Sequence, residues 1–215
     1  MLVDDDHTHL ERVSADPEVC RRWPGFAAYC RHLASGLKDA ANRDLDAFLA
    51  EARGGDAAER RSFTIRMVDA AADFSRPQEL IRFLLFKEIV RPALLAWMEE
   101  MPGEAKPCIW LARLYDYRIP DGREPKDYLE IALVREPANP VAARDMVSLI
   151  IRQAINNQHE LPAYFGDPAD DVTALGFAAR LLSFAEDQDW AASRRETIDY
   201  LSKIAGEAVE NAALA

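Results

Sequence analysis

Apolar residues recur every three or four positions along most of the chain and rarely alternate. That period predicts amphipathic helices and no sheet. Residues 1–15 are polar and carry no such period, so they read as a flexible N-terminal arm. Asp16-Pro17 then supplies a helix cap and a first-turn proline. The apolar spacing continues through Val19, Trp23, Phe26, Ala27, Cys30, Leu33 and Ala34, and Pro24 inside it must kink or split the helix. Leu45, Phe48, Leu49 and Ala52 make the next stripe, which Gly54-Gly55 ends. Asp56 caps a helix carrying Phe63, Met67, Ala70, Ala71 and Phe74.

Residues 78–99 are apolar over more than one helical face, which predicts packing on several sides, with a kink or break at Pro92. Further helices are expected over about 106–117, 124–136, 139–157, 167–184 and 190–214. The one long connection is 156–166. The expectation is a single all-α domain over 16–215, with eight to ten helices. Short connections make sequential helices antiparallel.

One hairpin carries a finer pattern. Leu111-Ala112 and Tyr115 are followed by Tyr128, Leu129, Ala132, Pro137 and Asn139-Pro140. Small residues at Ala112 and Ala132 let two helices approach closely. Leu111, Tyr115 and Leu129 fill the interface, and Pro137 stops the second helix. The pattern resembles a tetratricopeptide repeat over about 35 of the 215 residues. It departs from that family by one inserted residue before Pro137 and by Pro125, where the family prefers a small side chain. The resemblance implies a TPR-like α-solenoid of stacked hairpins. Such arrays need about three units, and no other hairpin repeats these residues, so an irregular helical bundle is the alternative. The resemblance also implies a scaffold that presents a concave face to peptides or proteins and catalyses nothing.

Charge narrows the partner. The net charge is -11, which repels phosphate backbones and anionic membrane, so neither nucleic acid nor membrane is expected as a partner. Another protein or peptide, basic in character, fits better, and an adaptor or an immunity-type protein is one form of that role. Cys20, Cys30 and Cys108 are odd in number and form no CxxC, as in a reduced cytoplasmic protein. The first residues show no signal-peptide pattern. Arg82, Lys87, Glu88, Arg91 and Pro92 interrupt the apolar 80–98 segment, which excludes a simple membrane span. That segment could instead form a homodimer interface.

Chemistry is sparse. Asp4-Asp-Asp-His7-Thr-His9 offers oxygen and imidazole donors but reads as a solvated tail, so no metal or other cofactor is expected. His159-Glu160 begins like a zinc-protease signature, yet position 163 is Ala and Pro162 forbids a regular helix. His159, Glu160, Tyr164 and Phe165 nevertheless share the long connection, and binding residues favour such loops. They are candidates for binding, and for the alternative function of an enzyme or small-ligand binder with its site near 156–166. Trp110 and Tyr117, with Trp97, are candidates to line a partner groove, against a default of core packing. Cys30 and His32 sit two apart on a helix and do not face each other, so no nucleophile pair and no catalytic residue is expected.

Overall fold

In the computed structural model the structure is described for residues 4–116, 118, 122–159 and 164–214. Helices dominate, no strand occurs among the described residues, and eleven of the α-helices there have six residues or more. The all-α class expected from the periodicity is observed. None of the described helices is long and apolar enough to cross a membrane.

The chain divides into two compact units where one domain was expected. Unit 1 is Met1–Pro102 with Trp110–Gly122, and unit 2 is Gly103–Ile109 with Arg123–Ala215. The division runs through a helix.

Unit 1 begins with a correction. The stretch expected as a loose arm is helix α1, Asp4–Ala15, with Leu10 and Val13 buried. Its anchor is Asp6, fully buried, which accepts from the Ser75 backbone N–H at 3.0 Å and from the Ser75 hydroxyl at 2.9 Å. A polar residue was holding the helix in place, so a search for apolar period passed over it. Next, α2 (Pro17–Arg22) starts on the Asp16 cap, whose carboxylate accepts from the Glu18 and Val19 amides. Pro24 splits rather than kinks the run: α2 ends at Trp23, and α3 (Pro24–Ala34) opens with the proline in its first turn. Helix α4 (Lys38–Gly54) packs on α3, and α5 (Ala57–Ala71) follows from the Asp56 cap. Trp23, Phe26, Phe48 and Phe63 meet at ring distances of 5.0–5.5 Å and form the centre of this unit.

The apolar 80–98 region becomes α6 (Phe83–Leu85), a π-helical turn (Phe86–Val90) and α7 (Arg91–Glu100) in direct succession. Pro92 has no N–H to give to the carbonyl four residues back and its ring crowds that carbonyl. The helix widens by one π turn upstream, with the Arg91 N–H reaching the Phe86 carbonyl, and does not break. Leu80, Ile81, Leu85, Phe86, Ile89, Val90, Leu94, Trp97 and Met98 are all buried inside unit 1. The segment therefore serves its own core, with Leu84 left exposed.

Helix α8, Lys106–Arg113, ends about one turn earlier than the spacing predicted. Unit 2 continues with α9 (Pro125–Arg135), α10 (Pro140–Gln158), α11 (Pro168–Leu181) and α12 (Gln188–Leu214). Each is packed on the next. Three of them start on the same device, a side-chain acceptor before the first turn: Asn139 takes the Val141 and Ala142 amides, Asp167 the Ala169 amide, and Asp187 the Trp190 amide. Pro137 follows the end of α9, as expected of a helix stop. The interior is largely aliphatic and rich in alanine: Ala132, Ala143, Ala154, Ala178 and Ala205 are all buried, which brings the helix axes close together.

Candidate functional site

Helices α9, α10 and α11 enclose an open groove of about 550 Å³ within unit 2. It exceeds two clefts of unit 1, of about 210 and 120 Å³. In the first of those the charges face one another, Arg12 against Asp73 at 3.0 Å and Arg66 against Asp16. The unit 2 groove is different. Its floor is apolar, from Leu149 and Ile150 of α10 and Ala174 and Phe177 of α11. The polar Gln153 lies exposed among them. On the α9 wall Lys126 and Glu130 pair with each other at 3.8 Å. On the α11 wall Asp170 and Arg180 are exposed and make no ion pair among the described residues, and the Arg180 guanidinium rests 5.6 Å from the centre of the Phe177 ring.

The stripe Asp170, Thr173, Ala174, Phe177 is spaced by three, one and three residues on α11, so it shares one helical face. That face adjoins the buried one, which carries Leu175, Ala178 and Leu181.

Asp171, beside Asp170 in the groove lining, belongs to a polar network. Asp171, 6% exposed, accepts from the Asn157 amide at 3.0 and 3.1 Å and from the Tyr164 hydroxyl at 2.5 Å. The Gln158 amide donates to the Tyr164 oxygen at 3.3 Å and to the Leu201 carbonyl of α12 at 3.1 Å. Burial, then the bond to Asp171, pushes the Tyr164 phenol up to about 12. Gly166, at φ +83°, turns the chain after Phe165, a conformation that side chains with a Cβ rarely adopt.

The candidates named from sequence fall as follows. Tyr164 belongs to this network, as a support for Asp171. Phe165 is 50% exposed, and its N–H donates to the Asn157 carbonyl at 2.9 Å. His159 is exposed just past the end of α10. Glu160 and Tyr117 lie outside the described residues, as do Pro162 and Ala163. Trp110, 4% exposed, is core of unit 1, as is Trp97, so neither lines a groove for a partner. The repeat-type residues are divided by the unit boundary: Leu111, Ala112 and Tyr115 fall in unit 1, while Leu129, Ala132 and Pro137 fall in unit 2. Leu111, Leu129 and Ala132 are buried, and Ala112 and Tyr115 half-buried.

The remaining polar groups turn away from common chemistry. His32 pairs through Nδ1 with Asp44 at 2.5 Å, while Cys30 is wholly buried, and burial pushes its thiol up. In the Asp4–His9 stretch Asp6 faces Ser75 and His9 lies against Phe74. No group of three metal-type ligands occurs among the described residues. Arg195 donates to the Ala179 carbonyl at 2.9 Å.

Comparison of the chain with protein-family models, with curated proteins and with solved structures gives no match.

Proposed function

We propose that this protein is a cytoplasmic, non-enzymatic interaction module that holds a segment of a partner protein in the α9–α10–α11 groove. The observation that carries the reading is the groove itself: an apolar floor from α10 and α11, flanked by charges on α9 and α11 and open to solvent. An apolar floor supplies affinity, and exposed charges at the margin set orientation and partner choice. The stacking of hairpins from α9 to α12 is of the kind that a TPR-like scaffold uses, and it supports the adaptor or immunity-type role. Charge supports a basic partner. In unit 2 seventeen Asp and Glu stand against ten Lys and Arg.

Selection from a random peptide library tests this. Peptides enriched on the full chain should compete for one site and lose binding when the groove is filled by Ala174→Trp or, without disturbing the interior, by Gln153→Trp. Enrichment of no peptide that distinguishes the parent chain from these variants overturns the reading.

A further inference from the structure

The charges in the groove specify more than a generic segment. Lys126 and Glu130 already pair with one another, so the exposed lining charges with no ion partner among the described residues are the Asp170 carboxylate and the Arg180 guanidinium. They stand on one helix, ten residues apart, which is about 15 Å at the helical rise. Between them lie Ala174 and Phe177, with Leu149 alongside on α10. A ligand therefore meets an anion, an apolar patch and a cation in that order.

An extended chain matches this order. Four residues of extended backbone span roughly 13 Å, and alternate side chains point the same way. The first, third and fifth residues of such a segment can reach the three positions together. Gln153, whose amide has both donors and an acceptor, lies exposed on the floor where the backbone of an extended segment has unpaired N–H and C=O groups. A helix in the groove would keep those groups to itself.

Resting on the proposed role of the groove, we infer that its ligand is an extended partner segment with a Lys or Arg and an Asp or Glu four residues apart and a large apolar residue midway. The cation meets Asp170, the apolar side chain lies on Phe177, Ala174 and Leu149, and the acid meets Arg180. The Asn157–Asp171–Tyr164 network fixes the first turn of α11, which carries Asp170, so the anionic end of the groove is held in place before a ligand arrives.

Fluorescence anisotropy on labelled twelve-residue peptides tests this with the full chain. One peptide carries the core Lys-Ser-Leu-Ser-Glu between Gly-Ser flanks. Others carry Ser-Lys-Leu-Glu-Ser, Lys-Ser-Leu-Ser-Lys or Glu-Ser-Leu-Ser-Glu. The spaced, oppositely charged peptide should bind at least tenfold more tightly than each of the others. In Asp170→Lys the preference should move to the peptide with two acids. Equal binding of spaced and compact peptides, absence of binding by the spaced peptide, or an unchanged preference in Asp170→Lys each overturns the inference. Library peptides that fail on Ala174→Trp but carry no such charge pair also overturn it while leaving the groove's role standing. A library that yields no groove-dependent peptide removes that role itself.

Discussion

Replacing Asp6 by Ala tests whether the first fifteen residues belong to the fold. Asp6 is wholly buried, and both of its bonds go to Ser75, 69 residues away. Bonds to a charged acceptor contribute about 1.5–3 kcal/mol each. Ser75 itself is exposed, so water reaches its N–H and hydroxyl once the carboxylate is gone. Removing a buried charge also relieves a desolvation cost. Both effects bring the loss below the two-bond minimum of about 3 kcal/mol, to about 2 kcal/mol. That is a large share of a typical stability of about 5–15 kcal/mol. With a urea slope of about 2 kcal/mol/M the unfolding midpoint should fall by about 1 M. Ser75→Ala removes the hydroxyl bond alone and should cost roughly half as much. The double variant should cost less than the two singles added, because they share one interaction. Amide exchange supplies a second readout: the Ser75 N–H should lose protection in Asp6→Ala and keep it in Ser75→Ala. A midpoint shift below about 0.25 M, with Ser75 exchange unchanged, would mean that α1 is not docked through this contact.

Other consequences follow from buried groups. Tyr29 is fully buried with a hydroxyl that has no hydrogen-bond partner among the described residues, and burial pushes its ionisation up. Tyr29→Phe should therefore leave stability unchanged or raise it by up to about 1 kcal/mol in urea melts, and a clear loss would reveal a bond that the fold does not show. Thiol labelling should find Cys20, half-buried, reacting first, while Cys30 and Cys108, both buried and both with thiols pushed up by burial, react only after denaturant is added. Two carboxyls are held low: Asp16 by the Val19 amide and then Arg66, and Glu59 by Arg22 and then Trp23. A lowered folded-state value contributes stability above the ordinary carboxylate range, and that stability is lost as pH falls through the folded value. The urea midpoint should thus drop below about pH 4, with a shallower drop in Asp16→Asn. An identical pH profile for the two chains would remove Asp16 from the cause.

The helices were legible because their signals are local. Asp16-Pro17, Asn139-Pro140 and Asp167-Pro168 each place an acceptor and a first-turn proline where the structure starts a helix. Pro24 and Pro92 were also legible as disturbances, but their outcomes differ. The chain splits at Pro24, where a new first turn absorbs the missing N–H. At Pro92 the buried apolar residues on both sides hold the helix together, and it widens instead. The docking of α1 was not legible, because it depends on a long-range bond between Asp6 and Ser75 that no local period encodes. The groove was hidden for a related reason. Its charged and small residues on α11 look like an ordinary exposed face until α9 and α10 are placed against them.

The long connection before α11 was singled out for His159, Glu160, Tyr164 and Phe165, and the structure gives Tyr164 a supporting use. A general base needs a free lone pair within reach of a substrate proton. The Asp171 carboxylate already accepts three bonds, two from Asn157 and one from Tyr164, and it is almost wholly buried. Tyr164 is both donor to Asp171 and acceptor from Gln158, and its phenol is held up at about 12, so it stays neutral. Groups matched in this way resist movement more than they exchange protons. Gln158 extends the chain of bonds to the Leu201 carbonyl, which ties the connection to α12. Tyr164, with Asn157 and Gln158 at the end of α10, is therefore part of a brace: together they lock the first turn of α11 against α10 and α12, and with it the wall from which Asp170 and Arg180 face a ligand.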